Sequence, residues 1–469
     1  MVYILPVVSP KKLMFTPLFL FFALWVVAYI PAQTTEAGTA EEVLENIAVL
    51  LAEYRYDEAI SLFDTIGPPE NGSSFLQLLK ASVMGSAGKY AEARVIVEGV
   101  CAAEPENTEA LFVLAAIEGA SGRLRQQQTA LEKIIGLEPE NMEALVSLGE
   151  VSLQNRLYRA AASYYHRVLT KEPDNPGALL GMSRAFRMNT EWDEAEKYLN
   201  RLVELYPDMV EARTDRARYY WGRENLRQAL AEFDEAKKLA PDDYWIAIDM
   251  GNLFLEMGRK EDALQEFSRA VGINPNEYTA YAYTSGLKDD LGDFDGAEAD
   301  YATLAKLKPD YYFAFEGLGL HKMRNGKWAE ARDAFTEAYR YAPDENLYAL
   351  LAAVNWMRME DVSSPRSFLA QVQAKVQRDT LEWYMFRLYY DLTAKNYLGE
   401  SDMALRLDRE RDLTLKARML FYMALYYDVR GNVTLANKYF LLVNEMDRRA
   451  IPEWRLNEWI LKDRDLNLF

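Results

Sequence analysis

Eight prolines, Pro105, Pro139, Pro173, Pro207, Pro241, Pro275, Pro309 and Pro343, stand 34 residues apart without a slip. With proline at about 5% of an ordinary sequence, the seven later coincidences would arise by chance on the order of once in a billion. The chain is therefore built by repetition. A second beat runs in phase with the first: Ala59, Ala93, Ala161, Ala195, Ala229, Ala263, Ala297 and Ala331 keep the same period, with Gln127 the one exception. Proline lacks an N–H and cannot continue a helix, so each one marks a chain reversal. A recurring small residue marks a close helix crossing. Counting back from these beats gives nine units starting at residues 40, 74, 108, 142, 176, 210, 244, 278 and 312.

The unit from Tyr244 to Glu277 shows what each period encodes. Ala247, Met250, Gly251 and Phe254 recur at helical spacing and form one apolar stripe on a first helix. Gly258 ends that helix, and Gly88, Gly122, Gly292 and Gly326 hold the same offset, where the chain needs a left-handed turn. A second helix from about Glu261 to Gly272 presents Ala263, Phe267 and Ala270 to the first. The residue after each proline (Glu106, Glu140, Asp174, Asp208, Asp242, Asn276, Asp310, Asp344) is expected to cap the next helix or favour its positive end. Tyr56, Tyr90, Tyr158, Trp192, Phe294 and Trp328 share one offset and are read as packing between hairpins. In the first unit Pro68 and Pro69 come early and shorten its second helix.

A 34-residue helical hairpin with small residues, aromatics and a terminal proline at fixed offsets resembles the tetratricopeptide repeat family over about two thirds of the chain. The resemblance implies an all-α, right-handed superhelical solenoid of helix-turn-helix hairpins. Residues 40–345 hold the nine units, 346–416 form a divergent helical region, 417–450 a further repeat-like unit, and 451–469 a C-terminal capping helix. In the divergent region Pro365 takes the expected alanine place, Ser364 and Pro365 read as a helix start, and Thr380 to Leu392 is a helix rich in aromatics. The run Phe421 to Tyr427 followed by Gly431, with Ala436 and Phe440 beyond, resembles NlpI-like bacterial periplasmic adaptor lipoproteins. That likeness implies scaffolding of cell-envelope enzymes. The closing helix carries Trp454, Leu456, Trp459 and Ile460, which either cap the core within the chain or build a homo-oligomer interface.

At the N-terminus Lys11 and Lys12 precede an apolar run from Leu13 to Ile30, of which the unbroken part from Leu18 is 13 residues long. That suits a secretory signal core better than a membrane span of about 20 residues. Residues 1–33 are read as a signal peptide cleaved after Ala32 or, given the bulky Ile30, as an uncleaved anchor, with 34–39 a polar linker. Either way the bulk of the chain is expected to be exported, facing the periplasm of a bacterium. The chain has a formal charge of −19, which argues against a nucleic-acid partner. Cys101 is its only cysteine, so no intrachain disulfide and no cysteine metal cluster can form.

Catalytic signals are sparse. The two histidines, His166 and His321, fall at different offsets and are read as ordinary surface or boundary residues. The fragment Gly317-Leu318-Gly319 lacks the third glycine of a dinucleotide loop and lies inside a first helix; Gly88-Lys89 is no phosphate loop. No cofactor and no catalysis are expected. The family resemblance implies ligand contacts from the second, fifth, ninth, twelfth and thirteenth residues of each unit. On this chain those offsets place Arg184, Arg187, Arg218, Trp221, Trp245 and Asn252 on three consecutive units, and then Asp289, Asp290 and Glu316, so the groove changes from basic to acidic. Arginine pairs bidentately with carboxylates, so an acidic peptide suits the basic end. The competing reading pairs those arginines with Glu211, Glu256 and other neighbouring acids as a solvated face. The expected function is a non-catalytic scaffold for protein or peptide partners. Two alternatives stay open: a carrier of a lipid or small molecule on Trp221, Trp245 and Phe313, and a glycosyltransferase with an attached repeat domain.

Overall fold

The computed structural model describes residues 38–66 and 72–466, and among them every regular element is a helix. The signal or anchor segment, Pro68 and Pro69 lie outside the described residues. The helices fall into two compact bodies. The N-terminal body, ending at Pro241, holds α1 (Gly38–Ala52), α2 (Tyr56–Phe63), α3 (Ser74–Ser86), α4 (Tyr90–Ala103), α5 (Thr108–Ala120), α6 (Leu124–Leu137), α7 (Met142–Gln154), α8 (Tyr158–Lys171), α9 (Pro176–Met188), α10 (Trp192–Leu205), α11 (Val210–Gly222) and α12 (Leu226–Leu239). The C-terminal body begins at Asp242 with α13 (Tyr244–Glu256), α14 (Lys260–Ile273), α15 (Tyr278–Leu291), α16 (Phe294–Leu307), α17 (Tyr312–Arg324) and α18 (Trp328–Tyr341). It continues through α19 (Leu347–Arg358), α20 (Ser364–Gln373), α21 (Leu381–Leu392), α22 (Glu400–Arg409), α23 (Leu413–Val429), α24 (Val433–Glu445) and α25 (Pro452–Asp463). None of these helices is long and apolar enough to cross a membrane.

Each regular hairpin closes because the repeated alanine has no accessible surface: Ala59, Ala93, Ala161, Ala195, Ala229, Ala263, Ala297 and Ala331 are all fully buried. At the exceptional Gln127 the facing helix supplies Gly119, where a Cβ would meet the Gln127 amide at 2.7 Å. The same device seats the large rings. A Cβ on Gly251 would stand 2.6 Å from Phe267, one on Gly319 2.7 Å from Phe335, and Tyr165 slots between Gly149 and Gly181. The two glycines of Gly317-Leu318-Gly319 are such notches, facing Tyr301 and Phe335.

The turn inside each hairpin is fixed by one left-handed residue. Gly88, Gly122, Gly258, Gly292 and Gly326 have φ between 69° and 85°, and Tyr54, Arg156, Thr190 and Glu224 take the same offset at 59° to 63°. The backbone beat outlasts the proline beat, because Glu360, one period past Gly326, is also left-handed (φ 63°), and Pro365 is buried where the alanines are. The caps differ from expectation. They fall two residues after the proline, on Asn107, Asn141 and Asn175, whose Oδ1 atoms accept from Ala110, Ala144 and Ala178 N–H at 2.9–3.0 Å, and on Asp243. Pro105, Pro139 and Pro173, with the acid after each, fill the turn itself, so the residue directly before the helix inherits the cap. Glu104, Glu138 and Glu172 hold those asparagines in place at 2.6–2.7 Å.

Beyond α18 a larger core forms around α23, where Phe421, Tyr422, Met423, Ala424, Leu425 and Tyr426 are fully buried. A helix buried on all sides needs partners on all sides, and α19, α21, α24 and α25 supply them. Tyr389 donates to the Tyr422 carbonyl at 2.7 Å, and Asp428 accepts from Arg358 of α19 and Arg464 just after α25.

Candidate functional site

In the N-terminal body α9 and α11 bring Arg184, Arg187 and Arg218 around one carboxylate, Asp215. Arg184 Nε donates to Asp215 Oδ2, Arg218 reaches Oδ1 at 3.4 Å, and Arg187 stands 4.0 Å from Oδ1. The Asp215 side chain is 2% exposed, whereas that of Arg218 is 36% exposed. Burial works against the charge on Asp215, but Arg184, Arg218 and Arg187 outweigh it and hold the carboxyl below its usual range. A buried anion thus orients three guanidinium forks, of which Arg218 is the most exposed and Arg184 and Arg187 are 17% and 21% exposed. Trp221, at the end of α11, lies edge-on to Phe233 at 6.4 Å. On the same helix Arg213 and Arg216 pair instead with Glu232, at 3.2 and 2.5 Å.

Trp245 and Asn252 belong to the C-terminal body, on α13. Trp245 is half-buried and edge-on to Tyr244 at 5.0 Å. Asn252 is half-buried beside the Tyr283 hydroxyl; burial raises that phenol and the Asn252 contact opposes the rise. Phe313, the third aromatic of the carrier alternative, stacks on Tyr312 at 4.1 Å.

The acidic positions expected along the groove are already engaged. Arg455 of α25 donates to Asp289 Oδ2 and, at 2.9 Å, to Asp290 Oδ1. Trp459, one helical turn on, meets Phe294 at 5.5 Å and His321 at 5.2 Å, and Arg324 lies over the Phe294 ring at 4.0 Å. His321 is neither a surface nor a boundary residue: it is fully buried beneath Trp459, with Nε2 3.2 Å from Asp289 Oδ1. The tertiary fold covers it through a helix more than a hundred residues downstream. Glu316 accepts from the Tyr348 hydroxyl and lies near Glu453. His166 is exposed. Among the described residues no group of three His, Cys, Asp or Glu could hold a metal ion.

Tetratricopeptide repeat profiles match residues 152–218 and 220–285, and 117–176, 287–346 and 317–355, together about half of the chain. The chain belongs to the tetratricopeptide repeat family. Among solved structures, a tetratricopeptide repeat protein from Parabacteroides merdae is 19% identical, with a TM-score of 0.46 over 53% of this chain and 98% of its own. YrrB, a tetratricopeptide protein described as having an unusual peptide-binding site, is 18% identical, with a TM-score of 0.35 over 40% of this chain and 96% of its own. PilF of Pseudomonas aeruginosa is 14% identical, with a TM-score of 0.34 over 45% of this chain and 96% of its own. No curated protein matches.

Within this tetratricopeptide array the residue that sequence reasoning misses is Asp215, the partner of the arginines in place of exposed Glu211. The sixth place of the other units is mixed, with Leu79, Val113, Ser147, Gly181 and Asp249, of which Ser147 and Asp249 are half-exposed, so the burial of Asp215 comes from the packing of α9 against α11 and not from its place in the repeat. The second missed element is α25 as occupant of the acidic face, which no local spacing encodes.

Proposed function

We propose that the chain is an exported, non-catalytic tetratricopeptide scaffold that holds an acidic protein or peptide segment on the arginine face of α9 and α11. The observation that carries this reading is the convergence of Arg184, Arg187 and Arg218 on buried Asp215. Arginine forks held in a fixed arrangement lose less side-chain entropy when they meet a carboxylate than mobile ones do. The repeat fold supports protein or peptide recognition, and the N-terminal apolar segment with its flanking lysines supports export to the cell envelope. The resemblance of the C-terminal portion to NlpI-like adaptors fits the same setting.

Binding of a fluorescent oligoglutamate peptide, followed by anisotropy, tests the site. Arg187→Glu with Arg218→Glu keeps Arg184 as the anchor of Asp215 and should weaken binding at least about tenfold while leaving the helical circular dichroism unchanged. Equal binding by the double variant and the parent sinks the reading. Sequencing the N-terminus of protein recovered from the envelope fraction tests export: a mature chain beginning at Gln33 is expected for cleavage, and one retaining Lys11 and Lys12 in the membrane for an anchor.

A further inference from the structure

α25 meets α15, α16 and α17 through two residues one helical turn apart. The Arg455 guanidinium donates to Asp289 Oδ2 through one nitrogen and, at 2.9 Å, to Asp290 Oδ1 through another. Trp459, four residues on, stands edge-on to Phe294 at 5.5 Å and against His321 at 5.2 Å, with Arg324 lying 5.6 Å over its ring. The receiving surface is thus a pair of carboxylates beside an aromatic slot. Its charges show what an occupant must bring. Asp290 also meets Lys260 of α14 at 2.8 Å, while Lys288 of α15 is turned away to Asp300 at 2.7 Å. The Asp289 side chain is 3% exposed, and Arg455 is the cation that pairs with it. His321 stands 3.2 Å from it without forming a hydrogen bond. A buried carboxylate deprived of its cation is strongly destabilising. An occupant of this surface must therefore place a guanidinium on Asp289 and, one turn along the same helix face, a large ring in the slot.

α25 fills this place imperfectly. Its other face is packed into the C-terminal core, where Trp454, Leu456, Asn457 and Leu461 are buried and Asn457 Nδ2 donates to the Phe440 carbonyl of α24 at 3.2 Å. Yet Glu453 Oε2, Trp454 Nε1 and Asn457 Oδ1 of α25 are buried without a hydrogen-bond partner. So are Asp289 Oδ1 and both ring nitrogens of His321 beneath it. Each of these atoms has given up hydration with no bond in return. The apolar burial of α25 is offset at the same contact, so the helix is held less firmly than its tryptophans and leucines alone would hold it.

We propose that Asp289, Asp290 and the slot of Phe294 and His321 form a binding site for a partner protein's helix carrying arginine and tryptophan four residues apart. α25 is the chain's own occupant of that site and is displaced when such a helix binds. The pattern Arg455-Leu456-Asn457-Glu458-Trp459 is the one example of a fitting ligand that the structure provides, and it defines the partner's chemistry. The site belongs to the C-terminal body and the arginine face of α9 and α11 to the N-terminal one, so failure of either reading leaves the other standing.

The probe is a fluorescent peptide spanning Pro452 to Arg464, and the measurement is its anisotropy on the full chain. In the variant Arg455→Ala with Trp459→Ala, α25 has lost both anchors, and the peptide should bind at least about tenfold more tightly than it does to the parent. Adding Asp289→Asn and Asp290→Asn should abolish that gain, and a peptide that itself carries Arg455→Ala and Trp459→Ala should not bind. The proposal is overturned if the opened variant binds no better than the parent, if the gain survives loss of both carboxylates, or if the substituted peptide binds equally well. Should the opened variant lose helical signal, hydrogen exchange of the parent in excess peptide takes its place. α24, which α25 covers, should then exchange about tenfold faster while α15 and α17 keep their rate. An unchanged α24 rules displacement out.

Discussion

At the scale of single residues, the hairpins depend on places where one side chain is missing and on places where one is tolerated under strain. Gly251 leaves room for Phe267, and a methyl there would stand 2.6 Å from the ring. Gly251→Ala is therefore expected to cost about 1 to 3 kcal/mol, and Phe267→Ala about 3 to 5. Together they should cost less than their sum, since the methyl then enters the space the ring vacates; denaturant unfolding of both singles and the double gives the coupling. Thr190 is the converse case. A β-branched residue at φ 63° is held in a conformation that costs about 1 to 2 kcal/mol, so Thr190→Gly should stabilise the chain by about 1 kcal/mol, read as a raised melting temperature. Glycine at five of the equivalent turns shows what this position prefers, and the residues Tyr54, Arg156, Thr190 and Glu224 show that the surrounding hairpin overrides the preference.

At the scale of helices, Asp215 couples α9 to α11 by charge where the alanine beat couples helices by shape. Asp215→Asn leaves three guanidiniums facing a neutral amide and should destabilise the N-terminal body by about 3 to 5 kcal/mol at neutral pH. Since Arg184, Arg218 and Arg187 hold the Asp215 carboxyl below its ordinary 3.8, the stability it adds is present above that value and lost as pH falls below it. The gap between parent and variant in thermal unfolding should then narrow in acid; a constant gap would count against the charge argument. Helix positions were legible in advance because proline and glycine act through the backbone alone. The caps were misplaced by one residue because Glu106 and Asn107 are both competent acceptors, and only the extended backbone at Asn107 (φ −73°, ψ 100°) decides between them. Asp215 was missed because pairing across two helices depends on which side of the hairpin is buried, and that follows from packing rather than spacing.

At the scale of the whole chain, a repeat array is held by contacts between neighbours, so damage should stay local. Ala195 of α10 is fully buried in a cluster with Phe186 of α9 and Tyr219 of α11. Ala195→Phe is expected to speed hydrogen exchange in α9 to α11 while leaving α17 and α18 at the parent rate; uniform acceleration would show that the array unfolds as one unit. The sequence made the array legible as far as its prolines run. Past Pro343 it became less informative, because α19 to α25 pack around a helix buried on every side, and a helix of that kind carries no amphipathic period to read. His321 belongs with that loss, since its burial is completed by Trp459 from far along the chain.

That distance sets an order of events during synthesis. A hairpin can close as soon as its own 34 residues have been made, whereas the pair Arg455 and Asp289 spans 166 positions and must wait for α25. Closing the longer loop costs only about 1.4 kcal/mol more than closing one period, so the delay is one of timing more than of energy. Until α25 arrives, Asp289, His321 and Phe294 face water. The growing C-terminal body therefore passes through an interval in which its acidic face is open, and a chaperone or a partner present at that moment meets a surface that the finished molecule covers.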